Sequence, residues 1–329
     1  MKISEERKAE LLRIESSLEE FPFPPQVVVE TTSRCNFVCK HCSHKEMKRP
    51  RRDMDDAVFR KIIDEIAAKA PETEIWPTFY GEALLLKERL FELLAYARQA
   101  GCRNIVLNSN GSLLKFDWAI DGVLNSGMRR FILSLDGFKK ETFERIRKGG
   151  NRDHIFASVE KLLKRRKELG VEYPVIHCQF SVMEENRDEV EEFKRYWLER
   201  GAEVKTRVML SWTGTGSVVA PNLDYETDFR IACPWGNASM AIHQNGDVVA
   251  CAVDYEGRFV AGNVMETSIE DIWRGRLYEG LRRPHKEHRW NDIPGICQGC
   301  RDWQAVGARY HDGVEGRKEG VRPFWHEKG

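Results

Sequence analysis

Short apolar runs alternate along the chain with longer stretches in which apolar residues recur every three or four positions. The short runs predict strands, and the longer stretches predict helices that bury one face. Because strands alternate with helices, we expect parallel strands joined by right-handed crossovers, in either a partial barrel or a doubly wound α/β sheet. The six predicted strands lie at residues 27–29, 74–80, 104–107, 130–135, 175–182 and 203–208.

The sequence changes character on both sides of this alternating region. Before it, residues 3–20 predict an amphipathic helix that ends at a proline cluster beginning with Pro22. After it, a Gly- and Ser-containing linker at residues 211–218 leads into shorter strands and turns. The polar tail from Asp312 is expected to be mobile. We therefore predict an N-terminal helical segment at 1–24, a core at 25–215, and a linker with a C-terminal extension at 216–329.

Composition and charge limit the environment of the protein more than its function. The 52 basic and 52 acidic side chains cancel, so overall charge does not favour nucleic acid or an anionic membrane as a partner. The chain has no apolar run of the kind that forms a signal peptide or crosses a bilayer, which predicts a cytoplasmic protein. In that reducing compartment, the nine cysteines are expected to bind metal or remain thiols.

Three cysteines, Cys35, Cys39 and Cys42, lie within eight residues directly after the first predicted strand. In either α/β architecture, the loops at the carboxyl ends of the strands gather on one face and form the reactive site. A structural zinc site needs four closed ligands, whereas three cysteines leave one iron of a 4Fe-4S cluster open to another ligand. The open cluster is the favoured interpretation, and a zinc knuckle is the alternative.

The spacing of these cysteines, with three and then two residues between them, resembles that of the radical S-adenosylmethionine (SAM) superfamily. The resemblance implies a partial (β/α)6 barrel of the TIM type and an open iron that chelates the amino and carboxylate groups of SAM. It also implies reductive cleavage of SAM to a 5′-deoxyadenosyl radical, with an electron donor such as flavodoxin or ferredoxin. That radical abstracts hydrogen from a substrate, which the protein positions and shields from water.

Short motifs after the later strands resemble the SAM-binding segments of the same family. Gly81 and Glu82 resemble the turn that contacts the methionyl amine, although Tyr80 and Ala83 replace its usual glycine and proline. Either Arg145 or Arg147 could approach the methionyl carboxylate, or could lie on a solvated helix face. The other residues that the resemblance places near SAM are Asn108, Ser109, Asn110, Ser134, Val182 and Met183.

A second set of four cysteines follows later in the chain: Cys233, Cys251, Cys297 and Cys300. The Asn245-Gly246 pair predicts a hairpin between residues 239–243 and 247–251. Four thiolates can close the coordination of a zinc ion or of a fully ligated 4Fe-4S cluster, and ligand type does not decide between them. The two remaining cysteines, Cys102 and Cys178, lie in or beside apolar strands and are expected to be buried.

The order of the second set resembles the SPASM and shorter twitch extensions of radical SAM enzymes, in which a glycine stands five residues before the second cysteine, as Gly246 does here. The resemblance implies a small α+β extension that holds one auxiliary 4Fe-4S cluster. A closed cluster cannot bind substrate through iron, so it either transfers electrons or braces the extension. We expect electron transfer, because it suits an oxidation.

The predicted function is therefore a radical SAM oxidoreductase that dehydrogenates a small, carbohydrate-like metabolite. The alternatives are a maturase that oxidises, epimerises or crosslinks a residue of a ribosomally made peptide and, from another class, a zinc-stabilised binding protein. His41 replaces the aromatic residue usual beside the third cysteine, and it could either tune the hydrogen bonding of the cluster or face solvent. The side chains that could line the reaction cavity are His177, Gln179, Arg207, Trp212 and Asp254.

Overall fold

Six parallel strands and the helices between them form the first part of the chain. The structure is a computed structural model, which describes residues 2–211, 223–311 and 320–322. The strands are β1 (Gln26–Val29), β2 (Glu74–Trp76), β3 (Val106–Ser109), β4 (Arg130–Ser134), β5 (Val175–Val182) and β6 (Glu203–Val208). The helices are α1 (Glu5–Ser16), α2 (Asp56–Lys69), α3 (Glu88–Gln99), α4 (Asp117–Asn125), α5 (Lys140–Ile146), α6 (Arg152–Leu169) and α7 (Val190–Glu199).

These six strands lie side by side in chain order. β1 pairs with β2, β3 with β4, β4 with β5, and β5 with β6, and all four pairs are parallel. A parallel bridge between Ile75 and Ile105 joins β2 to β3. A doubly wound sheet would reverse the strand order near its centre. The unbroken order therefore confirms the partial (β/α)6 barrel.

Some predicted element boundaries differ from the structure. The second strand ends at Trp76 rather than at residue 80, because Pro77 has no backbone N–H to donate to a neighbouring strand. The third strand begins two residues later than predicted, at Val106. The N-terminal helix begins after Ser4, whose Oγ accepts a hydrogen bond from the backbone nitrogen of Arg7 at 3.2 Å.

Alternate residues of each barrel strand point to opposite sides. On β5, Ile176, Cys178 and Phe180 are buried in the main apolar core, between the strands and the surrounding helices. Gln179 and Ser181 point the other way, into the cavity at the mouth of the barrel. Cys102 is also fully buried in the main core, as predicted.

The C-terminal extension adds strands to both edges of the partial barrel. β7 (Ser239–Ile242) pairs in parallel with β1, and β10 (Ala308–His311) pairs antiparallel with β6. β7 and β8 form the predicted antiparallel hairpin, with Gly246 in the left-handed region at φ 88°. The strands of the extension are β7 (Ser239–Ile242), β8 (Asp247–Val249), β9 (Val260–Asn263), β10 (Ala308–His311) and β11 (Gly320–Arg322), and its helices are α8 (Pro234–Ala238), α9 (Ile269–Arg274), α10 (Arg276–Lys286) and α11 (Gly295–Gln298).

Arg49 connects the loop after the first cysteine set to the extension. Its Nη1 and Nη2 atoms donate hydrogen bonds to the two carboxylate oxygens of buried Glu30, at 2.6 and 2.5 Å. The same side chain donates from Nε to the backbone oxygen of Tyr255 at 2.5 Å, and from Nη1 to Oε1 of Gln244 at 2.7 Å. One arginine thus holds β1 and two loops of the extension together.

The N-terminal helix packs against the extension as well. Leu11 and Ile14 of α1 lie in a second apolar cluster with Trp235 and Trp303. Within the described residues, no helix combines the length and the apolar character needed to pass through a membrane. The predicted linker at residues 211–218 and the predicted tail at residues 312–329 lie outside the described residues, except for Ser211 and β11.

Candidate active site

Cys35, Cys39 and Cys42 line one cavity at the carboxyl ends of the barrel strands. Backbone hydrogen bonds of 2.8 Å, from Val38 to Lys148 and from Lys40 to Ile146, hold their loop against the end of α5 and the residues after it. Burial raises the pKa of Cys35 to about 11 and that of Cys42 to about 12. In the metal-free protein these thiols are therefore protonated at neutral pH, and a metal must displace their protons in order to bind.

The Gly81-Glu82 turn is fixed directly against the cysteine loop. The backbone nitrogen of Glu82 donates to the oxygen of Arg34 at 2.8 Å. A β-carbon on Gly81 would lie 2.0 Å from the backbone oxygen of Thr32, which is far inside van der Waals contact. Only glycine allows this close approach of the two backbones.

The carboxylate of Glu82 is buried at the cavity wall and accepts several hydrogen bonds. Ser109 Oγ donates to Oε1 at 2.9 Å, and the backbone nitrogen of Asn110 donates to Oε2 at 2.7 Å. Burial raises the pKa of Glu82, and these hydrogen bonds oppose the rise. The turn after β2 and the polar segment after β3 are therefore held together by one carboxylate.

Arg147 and Asp136 form a buried ion pair beside Cys39. Nε of Arg147 donates to Oδ2 of Asp136 at 2.9 Å, and Nη1 lies 3.9 Å from Sγ of Cys39. Asp136 also accepts from the backbone nitrogen of Ser181 at 2.7 Å. Burial acts to raise the pKa of Asp136, but the charge of Arg147 and the hydrogen bonds from Arg147 and Ser181 together outweigh burial, so the pKa is lowered.

Several polar atoms of cavity-lining side chains, including those of three residues, have no hydrogen-bond partner within the described residues. The atoms of these three residues are Oδ1 of Asn108, Oε1 of Gln179 and Nδ1 of His41. His41 is oriented by Asp136, with Nε2 3.4 Å from Oδ2, and burial lowers the pKa of His41 to about 4. Buried polar atoms in proteins are nearly always paired. This cavity therefore fits a polar ligand.

Cys233, Cys251, Cys297 and Cys300 are neighbours in the extension. Burial raises the pKa of Cys251, and the thiols of the other three raise it further. All four are free thiols rather than disulfides. Arg230 lies beside them, and its Nη2 donates to the backbone oxygen of Cys297 at 2.7 Å. The four side chains can therefore serve a common metal centre.

The side chains of the two cysteine sets are not arranged as the ligands of one metal ion. Among the residues that the structure describes, no three His, Cys, Asp or Glu side chains are arranged as ligands of one metal ion. A single zinc ion holds its sulfur ligands about 2.3 Å from its centre. A 4Fe-4S cluster places irons and sulfides between its ligands, so it needs thiols that are more widely spaced than those of a zinc site.

Comparison with known proteins identifies the family. The family model described as the Radical SAM superfamily matches residues 29–196, which contain the first cysteine set and the barrel strands β2 to β5. The chain belongs to the radical SAM superfamily. A second family model, an iron-sulfur cluster-binding domain known as SPASM, matches residues 233–301 and includes all four cysteines of the second set.

Individual relatives and solved structures are similar to most of the chain. The tungsten-containing aldehyde ferredoxin oxidoreductase cofactor-modifying protein of Pyrococcus furiosus is 30% identical over 301 residues, covering 77% of this chain and 82% of that protein. The SAM-dependent 2-deoxy-scyllo-inosamine dehydrogenase of Niallia circulans is 22% identical, covering 88% and 97%. The structure of Streptococcus suis SuiB bound to its precursor peptide SuiA superposes with a TM-score of 0.65 at 14% identity, covering 92% and 74%.

Family membership confirms the predicted cofactors. Radical SAM and SPASM domains bind 4Fe-4S clusters, and the radical SAM domain also binds SAM. The residues of this chain fit both groups, because the three thiols share a cavity with unpartnered polar atoms and the four thiols of the extension are neighbours. Membership of the superfamily also confirms the prediction of a radical SAM enzyme and excludes the alternative of a zinc-stabilised binding protein.

Most of the residues predicted to contact SAM line the cavity that contains Cys35, Cys39 and Cys42. That these residues contact SAM stays a prediction. Arg147 lines the cavity, whereas Arg145 is exposed and pairs with Glu185 at 3.0 Å. Val182 lies outside the cavity, beside a separate pocket between α1 and β6, and Met183 is buried in the second apolar cluster. The predicted contacts that do line the cavity are Gly81, Glu82, Asn108, Ser109, Asn110, Ser134 and Arg147.

The predicted substrate-facing residues divide in the same way. Gln179 and Arg207 line the cavity. His177 lies near Glu203, with Nδ1 3.4 Å from Oε2, and Asp254 accepts backbone hydrogen bonds within its own turn. Trp212 lies outside the described residues.

Sequence reasoning passed over some residues that the structure brings to the site. Asp136 orients both Arg147 and His41, yet it was not singled out. It stands two residues after Ser134, so the rule that reactive residues follow the strands could have found it. Ser181 and Phe79 also line the cavity.

Proposed function

We propose that this radical SAM enzyme dehydrogenates a small metabolite at a carbon that bears a hydroxyl group. The observation that carries the proposal is the set of four neighbouring thiols in an extension that is paired to both edges of the barrel. The nine cysteines divide into three in the cavity, two in the apolar core and these four. The extension therefore has cysteines for one closed cluster.

When bound, the clusters and SAM supply a 5′-deoxyadenosyl radical and a one-electron acceptor. In the proposed reaction, the hydroxyl-bearing carbon gives its hydrogen atom to the radical, and 5′-deoxyadenosine forms. The substrate carbon would then lose one proton and one electron and become a ketone. Cys233, Cys251, Cys297 and Cys300 would hold the auxiliary cluster that could accept this electron. A closed auxiliary cluster suits this net oxidation, because it can accept the electron without occupying the substrate site.

Arg207 and Gln179 are our candidates for substrate binding. Both stand near the carboxyl ends of their strands and line the cavity. Burial lowers the pKa of Arg207, and the nearby carboxylates of Asp136 and Asp302 oppose that decrease. Gln179 donates from Nε2 to Oγ of Ser134 at 3.3 Å, while its Oε1 has no hydrogen-bond partner. Together they offer donors and an acceptor to a hydroxyl-rich molecule.

Similarity to known relatives supports a small substrate. The Niallia circulans relative is a dehydrogenase of 2-deoxy-scyllo-inosamine, and the Pyrococcus furiosus relative modifies a cofactor. A peptide maturase is the second candidate, because the chain superposes over 92% of its length on SuiB in complex with its precursor peptide. We expect an external flavodoxin or ferredoxin to supply the electron that starts turnover.

Deuterium transfer tests the proposal. The protein is reconstituted with iron and sulfide under argon and reduced. It is then mixed with SAM and cyclitols or sugars that carry deuterium on their hydroxyl-bearing carbons. We expect mass spectrometry to show deuterium in 5′-deoxyadenosine and a ketone product in equal amount.

The Cys35→Ala/Cys39→Ala/Cys42→Ala variant is the control. Deuterium transfer from a peptide, with none from any polyol, would reject the proposal in favour of the maturase.

A further inference from the structure

Tyr80 lies between the two cysteine sets. It directly precedes the Gly81-Glu82 turn, and it occupies a position where the family motif has glycine. Its side chain is buried and lines the cavity. Because Gly81 is pressed against the backbone of Thr32, the backbone of Tyr80 cannot shift without moving the cysteine loop.

The ring of Tyr80 packs on the first cysteine loop. Tyr80, Met47 and Tyr255 form a small buried cluster, and Cys42 packs against it. The ring centroids of Tyr80 and Tyr255 are 5.6 Å apart, and those of Tyr80 and Phe79 are 4.6 Å apart in an edge-on arrangement. Contacts of this kind hold an aromatic ring in one orientation.

The hydroxyl of Tyr80 reaches the second cysteine set. It donates a hydrogen bond of 3.4 Å to the backbone oxygen of Ala252, the residue after Cys251. Burial raises the pKa of Tyr80, and the nearby Cys42, Asp302 and Cys251 raise it further. The Tyr80 side chain therefore contacts the first cysteine set at Cys42 and the second set at the residue after Cys251.

We infer that Tyr80 is a positioning residue that sets the separation between the two iron-sulfur clusters. Its ring packs against Cys42, while its hydroxyl donates a hydrogen bond to the segment that follows Cys251. A glycine at this position would leave the two segments without this link. The inferred role of Tyr80 in the separation of the two clusters does not depend on the identity of the substrate. The expected effect of Tyr80 on turnover rests on the proposed dehydrogenation.

Tyr278 provides a matched control. It is fully buried, and its hydroxyl donates at 2.9 Å to the backbone oxygen of Val249, two residues before Cys251. Its ring packs against Trp273, with centroids 5.2 Å apart. Tyr278→Phe therefore removes a hydrogen bond of the same kind from the same stretch of backbone, whereas Tyr278 is not part of the cluster that packs on Cys42.

The test measures the magnetic interaction between the two clusters by electron paramagnetic resonance, on reconstituted and fully reduced protein without substrate. We expect Tyr80→Leu to weaken the interaction and Tyr80→Phe, which keeps the ring, to weaken it less. Tyr278→Phe should retain the interaction of the unaltered protein. Iron analysis establishes that each variant holds both clusters. If Tyr80→Leu fails to hold both clusters, the comparison of Tyr80→Phe with the unaltered protein decides the question.

An unchanged interaction in Tyr80→Phe and Tyr80→Leu, or an equal change in Tyr278→Phe, would overturn the inference. During turnover, we expect the Tyr80 variants to form 5′-deoxyadenosine with less ketone per molecule cleaved. If no polyol transfers deuterium, the proposed function fails, yet the magnetic measurement still decides the role of Tyr80.

Discussion

Nε of Arg147 donates a hydrogen bond to Oδ2 of Asp136 at 2.9 Å, and both side chains are buried. This ion pair joins the loop after β4 to the end of α5 and holds the guanidinium beside Cys39. Two neighbouring arginines thus have different surroundings, because Arg145 is exposed and pairs with Glu185 at the surface.

Removal of the buried arginine should destabilise the protein. Arg147→Met leaves the Asp136 carboxylate buried without its counter-charge, which typically costs about 3–5 kcal/mol of unfolding free energy. Anaerobic urea unfolding of the reconstituted protein, followed by circular dichroism, measures the change. The matched variant Arg145→Met should unfold like the unaltered protein. If Arg147→Met and Arg145→Met lower the free energy of unfolding equally, the Arg147–Asp136 ion pair does not stabilise the protein in the way proposed.

The same pair predicts a dependence of stability on acid. Burial acts to raise the pKa of Asp136, but the charge of Arg147 and the hydrogen bonds to the carboxylate together lower it from its ordinary value of 3.8. Its stabilising effect is therefore complete above that ordinary value and is lost as pH falls through the lower pKa of the folded state. Urea midpoints measured between neutral pH and pH 3 should fall more steeply in the unaltered protein than in Arg147→Met. Parallel curves would contradict this assignment.

A β-carbon at Gly81 should disturb the first cysteine loop. It would lie 2.0 Å from the backbone oxygen of Thr32, so Gly81→Ala must move the backbone, at a cost of about 1–3 kcal/mol. We expect lower stability and less iron at the three-cysteine site. Gly280→Ala in α10 is the control, since nothing lies within 4 Å of its β-carbon. That change should stabilise the helix by about 0.5–1 kcal/mol. Full iron content in Gly81→Ala would refute the prediction.

The carboxylate of Glu82 should matter for SAM affinity. Glu82→Gln places an amide donor where Ser109 Oγ or the Asn110 nitrogen already donates, and it removes the negative charge predicted to face the methionyl amine. A charged hydrogen bond is worth about 1.5–3 kcal/mol, so we expect SAM affinity to fall roughly tenfold to a hundredfold. Equilibrium dialysis at matched iron content measures it. Glu185→Gln, a carboxylate outside the cavity lining, should bind SAM normally.

The two cysteine sets should be separable by mutation. Cys35→Ala/Cys39→Ala/Cys42→Ala should lose about four irons and all formation of 5′-deoxyadenosine, while the auxiliary cluster remains. Cys297→Ala/Cys300→Ala should instead lose the auxiliary cluster and still cleave SAM without forming product. Iron analysis and chromatography of 5′-deoxyadenosine follow both variants. Undiminished cleavage in the triple variant would contradict the assignment of the SAM-binding cluster.

The sequence by itself predicted the features that depend on local spacing. Strand and helix periodicity identified the alternating α/β pattern, because side-chain direction repeats every two or 3.6 residues. Cys35, Cys39 and Cys42 share one loop, so their spacing indicates a common ligand. The Asn245-Gly246 pair predicted its hairpin for the same reason, and Gly246 adopts the positive φ that glycine accepts readily.

Tertiary structure decided what depends on contacts between distant segments. Local sequence cannot show that β7 pairs with β1 and β10 with β6, because pairing of distant strands depends on the whole fold. Nor could it choose between Arg145 and Arg147, which stand two residues apart at the end of one helix and point in different directions. The link from Cys42 through Tyr80 to Ala252 joins residues far apart in the chain, and only folding brings them into contact.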